Sequence, residues 1–214
     1  MDLGRHPDIS LKGGPHGIPP EVVAEVQRGR VLTAAIEVVG GDGFQAATVS
    51  SILARARVSR RTFYELFQDR EDCFLQAYDA ATEQLLRAVV SGCEEEPRDR
   101  RLEGGLRTIL EHLAARPDVA RACVVEVLAA GPVAARRRAA VMARLAHMVA
   151  RQANATGARA ERESLRAKAL IGGLHELVHE RLVDGELGEP GELLERVTSA
   201  GLLPPSDEGA GPRD

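Results

Sequence analysis

Apolar residues recur every three or four positions through most of the chain, which is the spacing of one face of an α-helix. The first such segment begins near Pro20, a residue suited to an opening helical turn, and stops at the glycine-rich run 40–43. Later segments predict helices near residues 99–115, 118–130, 133–153, 161–184 and 190–201. Because no segment keeps the two-residue alternation of a β-strand, the sequence predicts an all-α fold of about nine helices.

Two short helices are predicted between the first helix and a long one that follows. Thr48 is suited to cap the first of the two, whose apolar side chains keep helical spacing: Val49, Ile52, Leu53 and Ala56. Ser59 is suited to cap the second, whose inward side chains are Phe63, Leu66 and Phe67. Asp69 is suited to cap the long helix, over about residues 70–92. Two short helices only a few residues apart predict a helix-turn-helix at about Thr48 to Phe67.

Length and composition indicate a folded protein with a core. The chain has 214 residues, of which 44% are hydrophobic. No apolar run reaches the roughly 18 residues that a membrane span needs, and the first residues lack the apolar stretch of a secretory signal. The three cysteines lack the paired spacing of a disulfide framework or a cysteine metal site. We therefore expect a cytoplasmic protein without membrane contact and without a cofactor.

The positive charge of the chain is unevenly distributed. A net charge of -4 disfavours indiscriminate binding of nucleic acid, so a local basic surface matters more than the total. Four arginines lie close together in the predicted helix-turn-helix, with no acid among them: Arg55, Arg57, Arg60 and Arg61. Ser59, Thr62 and Tyr64 add hydroxyl groups of the kind that hold DNA phosphates beside a recognition helix. The alternative is an ordinary helix pair with a solvated basic face.

This segment resembles the signature of the TetR family of transcription regulators. The resemblance is strongest over residues 28–78 and rests on the pattern Val58-Ser59-x-x-Thr62-Phe63-Tyr64-x-x-Phe67-x-x-Arg70-Glu71-x-x-Phe74. It implies phosphate contacts from Thr48 and Tyr64. It implies base contacts from the start of the second short helix: Ser59, Arg60, Arg61 and Thr62. Arg70 replaces the usual lysine and keeps the positive charge beside the DNA backbone.

Arg57 departs from the family pattern, because the family commonly has glycine at this position in the turn between the two helices. If the turn requires a positive φ, arginine costs roughly 1 kcal/mol there, or the turn is reshaped. The same side chain is a candidate for an additional phosphate contact.

The resemblance also implies how the whole chain is organised. Residues 1–20 and 203–214 lack periodicity and are expected to form a flexible arm and a flexible tail. Residues 21–68 would form the helix-turn-helix DNA-binding domain, and residues 69–202 a linking helix with an effector-binding and dimerisation domain. The implied partners are a double-stranded palindromic operator, a small-molecule effector and a second copy of the chain. The implied role is that of a repressor released by the effector, with no catalytic residue.

Apolar stripes in the second half of the chain are typical of a core, and the resemblance implies that some of them enclose the effector. The expected lining is aliphatic, with methionine and no aromatic ring, which favours a flexible or aliphatic ligand. The predicted lining residues are Leu106, Ile109, Leu110, Leu113, Val124, Val127, Leu128, Met142, Leu145 and Met148. His112 and His147 are the polar candidates.

Small residues alternate with leucines in the segment 165–182, which allows helix backbones to approach closely. The resemblance places dimerisation in this part of the chain, as a four-helix contact between two copies. The predicted interface residues are Leu170, Gly173, Leu174, Leu177, Val178, Leu193, Leu194 and Val197. The alternative is that they belong to the core of a single chain.

One segment points to a different class of protein. It reads His175-Glu176-Leu177-Val178-His179 and matches H-E-x-x-H, in which two histidines bind zinc and the glutamate acts as a base. The alternative function is therefore a zinc-dependent peptidase. Its third ligand would have to be Glu192 or Glu195, and the extended motif with a glycine and a third histidine is missing. We expect no metal site, with His175 and His179 as the weak alternative.

Overall fold

The computed structural model describes residues 19–152, 156–185 and 187–201. All regular structure in these ranges is helical, which confirms the predicted all-α class. The elements in chain order are α1 (Pro20–Asp42), α2 (Val49–Ala56), α3 (Arg60–Leu66), α4 (Arg70–Glu94), α5 (Arg101–Ala114), α6 (Pro117–Val124), a 3-10 helix (Glu126–Ala130), α7 (Pro132–Gln152), α8 (Gly157–Asp184) and α9 (Pro190–Ser199). The predicted tail, and the predicted arm up to residue 18, lie outside the described residues.

One predicted helix is divided in the structure. The segment expected to be helical over 118–130 forms α6 and then the 3-10 helix, which is the tighter form that short connecting turns adopt. This change of geometry keeps Val127 and Ala130 buried and leaves Leu128 at the surface. It also brings the Glu126 carboxylate to the backbone N–H of Phe44, at 3.0 Å.

Two clusters of buried side chains stabilise the molecule. The first joins α1, α2, α3 and the first half of α4 to α6, the 3-10 helix and the start of α7, and includes Val31, Ile36, Phe63, Phe74, Val119 and Val127. The second joins the rest of α4 to α5, α7, α8 and α9, and includes Leu86, Leu110, Leu145, Leu174 and Leu193. The first cluster crosses the domain boundary predicted at residue 68, because α6 and the 3-10 helix cover α1.

The contact between α1 and α6 is close enough to exclude a side chain. A Cβ atom added to Gly40 would lie 1.9 Å from the carbonyl oxygen of Asp118. Glycine at this position therefore lets the two helix backbones touch. The first helix of the predicted DNA-binding domain is thus packed directly on the second half of the chain.

None of the helices that the structure describes is both long enough and apolar enough to span a bilayer.

Candidate nucleic-acid interface and internal cavity

Both short helices begin at the predicted caps. The Thr48 hydroxyl accepts the backbone N–H of Ser51 at 3.0 Å, and the Ser51 hydroxyl accepts that of Thr48 at 2.9 Å. The Ser59 hydroxyl accepts the backbone N–H of Thr62 at 3.1 Å. Capping matters here because helices of this length are marginal on their own. The phosphate and base contacts of these residues stay predictions.

The two sides of α3 differ sharply. Phe63 is fully buried and Phe67 nearly so, with their ring centroids 5.4 Å apart. Tyr64 is 52% exposed and meets Phe63 edge-on, with ring centroids 5.3 Å apart. Arg60 and Arg61 are exposed beside it. The helix is therefore anchored by aromatic packing and offers an arginine- and tyrosine-bearing face to solvent, as the sequence predicted.

The basic surface is more strongly compensated than the local sequence indicates. Arg55 lies 2.9 Å from Glu37 of α1, and Arg61 lies 2.8 Å from Glu65 one turn away. Arg60 donates to the Ser50 hydroxyl at 2.8 Å. Exposed ion pairs of this kind contribute little stability, so phosphates can replace the carboxylates at small cost.

Arg57 ends α2 in the left-handed conformation, with φ 54° and ψ 47°. Among the described residues it is the one non-glycine residue with positive φ. The turn therefore keeps the geometry that glycine favours and accommodates arginine at an energetic cost.

Arg70 is half-buried and ties α4 to the loop after α1. Its Nη1 donates to the carbonyl oxygens of Phe44 at 2.9 Å and Ala47 at 2.5 Å. The guanidinium carbon lies 4.4 Å from the centroid of the Phe44 ring. This structural role was not predicted, and the phosphate contact of Arg70 stays a prediction.

Residues 31–77, which include α2, α3 and the loops that hold them, match the family model described as bacterial regulatory proteins, tetR family. The chain carries the DNA-binding domain of the tetR family of transcription regulators. The matched residues include the capped helices, the Arg57 turn and the Arg70 contacts.

Solved structures of transcriptional regulators share the fold over most of this chain. The fatty acid degradation regulator FadR from Bacillus halodurans matches with a TM-score of 0.71 and 17% identity, over 89% of this chain and 96% of its own. A TetR-like regulator from Rhodococcus sp. RHA1 matches with a TM-score of 0.65 and 20% identity, over 86% and 98%. FadR from Bacillus subtilis, in complex with stearoyl-CoA, matches with a TM-score of 0.65 and 18% identity, over 81% and 96%. No curated protein sequence matches the chain.

Behind the tetR-type DNA-binding domain, the chain contains a cavity of ≈ 70 Å³ between α4, α5, α6, α7 and α8. Its apolar lining consists of Leu85, Ile109, Leu113, Val124, Val141, Met142, Leu145, Ile171, Leu174 and Val178. Its polar or ionisable lining consists of Tyr78, Thr82, Cys123, Arg138 and His175. A smaller space of ≈ 20 Å³ lies nearby, between α4, α5, α7 and α8.

Some of the predicted lining residues surround a cavity in the structure, and others lie elsewhere; that the cavity binds an effector stays a prediction. The larger cavity is lined by the predicted Ile109, Leu113, Val124, Met142 and Leu145, and the smaller one also by Leu106 and Met148. Leu110 is fully buried in the second core cluster. Val127 is buried in the first cluster instead. The prediction for Leu128 is wrong, because its side chain is 52% exposed on the 3-10 helix.

Sequence reasoning missed the polar groups of the cavity. Tyr78 and Thr82 lie on the inner face of α4, four residues apart, and helical spacing alone could have found them. Arg138 lies in a run of three arginines, where no local signal shows which one faces inward. His112 and His147, the predicted polar candidates, are half-buried and exposed respectively, and neither is among the lining residues.

His175 is engaged by an arginine. The ring centroids of His175 and His179 are 6.4 Å apart, and Arg138 Nη2 lies 3.2 Å from His175 Nδ1 and 3.1 Å from Nε2. The Arg138 guanidinium therefore lies directly against the ring of one of the two motif histidines. Within residues 19–152, 156–185 and 187–201, no group of three potential metal ligands is found.

Most of the predicted interface side chains lie inside the single chain. Leu170, Leu174, Val178, Leu193, Leu194 and Val197 are all at least 90% buried in the second core cluster, which agrees with the alternative considered for them. Gly173 is exposed and Leu177 is half-buried, so these two stay candidates for a contact with a second copy.

Proposed function

We propose that the protein is a dimeric, cytoplasmic transcriptional repressor that a small, largely apolar molecule releases from a palindromic operator. The observation that carries the DNA-binding half is the exposed face of α3, where Arg60, Arg61 and Tyr64 project from a helix fixed by buried Phe63. A dimer sets two such helices about one DNA turn apart, ~34 Å, which suits a palindrome.

The cavity supports the ligand-responsive half. A space of ≈ 70 Å³ is too small for a molecule of many atoms, so binding such a molecule must separate the helices around it. The conformation with the wider cavity would bind the effector more tightly than the conformation with the narrow one. This difference in affinity would couple effector binding to release of the operator. Typical coupling energies are about 1 to 3 kcal/mol.

Two elements connect the cavity to the DNA-binding domain. α6 lines the cavity with Cys123 and Val124, and its Asp118 touches Gly40 of α1. α4 lines the cavity with Tyr78, Thr82 and Leu85. The first residue of α4 is Arg70, which binds the loop after α1. Movement of either helix therefore displaces α1 or the loop before α2, and α3 shares a core cluster with α1 and α4 through Phe63. The linking role predicted for α4 is shared with α6 in this proposal.

The chemistry of the lining and the solved relatives point to an aliphatic effector. Most lining side chains are aliphatic, and Tyr78 is the one aromatic residue among them. The Bacillus halodurans relative is described as a regulator of fatty acid degradation, and the Bacillus subtilis relative was solved with stearoyl-CoA.

The proposed dimer contact uses the outer faces of α8 and α9. Gly172 and Gly173 lie exposed in the middle of α8, and a Cβ added to either would meet no atom within 4 Å. Glycine in a helix interior costs about 1 kcal/mol relative to alanine, without any benefit inside the chain. The absence of side chains at these glycines would allow a helix of a second copy to approach α8 closely.

Selection of binding sites from a pool of random duplexes tests this function. The wild-type protein should enrich a palindrome. Arg60→Ala should change which bases are selected, whereas Tyr64→Ala should weaken binding to all sequences by about tenfold, since it removes a phosphate contact. Tyr64→Phe isolates the hydroxyl, and Arg151→Ala, an exposed position at the far end of α7, serves as the matched arginine control.

The control should bind as the wild type does. If the wild-type protein selects no palindrome, the proposed function is wrong. If Arg60→Ala and Arg151→Ala behave alike, the assignment of α3 as the recognition helix fails.

A further inference from the structure

Arg138 is the single arginine or lysine among the residues that line the ≈ 70 Å³ cavity. It lies on α7 and is half-buried, with most of the remaining lining made of aliphatic side chains. Its guanidinium therefore places a positive charge at the cavity wall. Charge in such surroundings is costly unless an anion or several hydrogen-bond acceptors accompany it.

The acceptors that Arg138 has are few. Its side chain lies within 3.3 Å of the His175 ring, with Nε near Nε2 and Nη2 near both ring nitrogens. A neutral imidazole has one lone-pair nitrogen, whereas a guanidinium has five N–H donors. No carboxylate of the described residues forms an ion pair with Arg138, so its charge is met only by a neutral ring.

Two other arginines of α7 form ion pairs with carboxylates. Arg137 pairs with Asp79, and Arg144 lies 2.8 Å from Glu83, so α4 supplies a carboxylate to each. Both pairs lie outside the cavity lining. Arg138, the arginine of α7 that lines the cavity, has no such carboxylate partner among the described residues.

His175 is neutral and therefore does not compensate the positive charge of Arg138. Burial, then the nearby Arg138 and His179, lower the pKa of His175 to about 4, so the ring is neutral at physiological pH. The pair therefore carries one positive charge. A neutral imidazole can also turn and donate its own N–H to an incoming anion.

We propose that Arg138 and His175 bind the head group of a monocarboxylate whose aliphatic body occupies the cavity. This assignment rests on the proposed function, because it names the chemical class of the effector. A carboxylate matches the planar guanidinium with two parallel hydrogen bonds, and its single charge balances that of Arg138. A phosphate dianion would bring an excess of negative charge into an apolar wall. A thioester or amide of the same acid would leave the arginine without its counter-ion.

The position of the pair also explains how the head group would act on the fold. Arg138 belongs to α7 and His175 to α8, and their present contact links the two helices across the cavity. A carboxylate between them would replace that contact with two longer ones through the ligand. The acid would therefore stabilise the wider arrangement of α7 and α8, which is the form expected to leave the operator.

Calorimetry on the full chain without DNA tests the assignment, with straight-chain carboxylates from butyrate to decanoate as probes. Octanamide and octanoyl-CoA serve as the uncharged and thioester counterparts of octanoate. The wild-type protein should bind its best carboxylate at least about tenfold more tightly than the matching amide or thioester. Arg138→Met should lose at least about tenfold in affinity for the carboxylate and leave amide binding unchanged. Arg138→Gln is the second variant, in case methionine alters the fold, and Arg144→Met is the control on the same helix.

A wild-type protein that binds none of the carboxylates at millimolar concentration overturns the assignment. So does Arg138→Met binding the carboxylate as the wild type does. Operator binding is measured separately. A chain that selects an operator but shows no carboxylate preference refutes this inference alone, whereas a chain that binds the acid through Arg138 but selects no operator refutes the proposed function alone.

Discussion

At the scale of single residues, Arg57 occupies a backbone conformation that disfavours any side chain with a Cβ atom. Its left-handed conformation is one that glycine adopts freely and that a side chain with a Cβ disfavours. The turn nonetheless holds α2 and α3 in place, with the Arg57 N–H bonded to the Leu53 carbonyl oxygen. The arginine is therefore a candidate for a functional role that offsets the strain, such as a phosphate contact.

Replacing Arg57 with glycine should stabilise the protein and weaken its binding to DNA. Relief of the left-handed strain should exceed the entropy that glycine adds to the unfolded chain, which gives a gain of roughly 0.5 to 1 kcal/mol in the free energy of unfolding. Arg57→Ala is the matched control, because it removes the same side chain but keeps the Cβ and the strain. Urea denaturation measures both variants. If the glycine variant is no more stable than the alanine variant, the left-handed conformation at position 57 does not strain the protein and the prediction is wrong.

At the scale of helices, the contact between α1 and α6 depends on the absence of one methyl group. Gly40 and Gly41 are adjacent and belong to the same last turns of α1. Gly40 faces the Asp118 backbone, whereas a Cβ on Gly41 would meet nothing within 4 Å. Helix packing therefore requires glycine at position 40 but not at position 41.

Alanine at each of these positions should have opposite effects on stability. Gly40→Ala forces α1 and α6 apart and should lower the free energy of unfolding by about 2 kcal/mol, the size of a typical overpacking penalty. Gly41→Ala meets open space in a helix and should raise it by roughly 0.5 kcal/mol, since alanine is the better helix former. Thermal and urea unfolding of the two variants provide the measurement. Equal effects would mean that α6 does not press on α1 at this point in solution.

At the scale of the whole molecule, the proposed dimer decides whether two recognition helices can read one palindrome. The predicted apolar side chains of α8 and α9 mostly serve the interior of the single chain. The surface left for a partner is therefore the outer face around Gly172 and Gly173, together with exposed polar positions of α9.

Gly173→Arg should separate the proposed dimer into folded monomers. An arginine at this position fits a free α8 surface, but it places an uncompensated charge between two closely packed helices. Dimerisation should weaken by on the order of 100-fold, which sedimentation velocity can measure, and operator affinity should fall with it. Ala143→Arg, at an exposed position of α7, is the control and should remain dimeric. A Gly173→Arg protein that stays dimeric would place the contact elsewhere.

Much of the fold could be predicted from the sequence because the relevant signals are local. The caps Thr48 and Ser59 and the end of α1 near Gly43 depend on residues within about one helical turn, and the structure confirms them. The alternation of buried Phe63 with exposed Tyr64 follows from the same helical period. For this reason the helix-turn-helix and its arginine-bearing face were predictable, including the strained turn at Arg57.

The cavity chemistry could not be predicted, because it depends on partners far apart in the chain. Arg136, Arg137 and Arg138 are adjacent in sequence, yet successive helical side chains point about 100° apart, so packing alone selects the one that faces inward. That packing brings Arg138 to His175 of the next helix and Arg70 to the carbonyl oxygens before α2. The sequence by itself determined most of the helices and the exposed, arginine-bearing face of α3. Only the tertiary structure decided which charged groups are buried, because burial is a property of facing helices rather than of a local pattern.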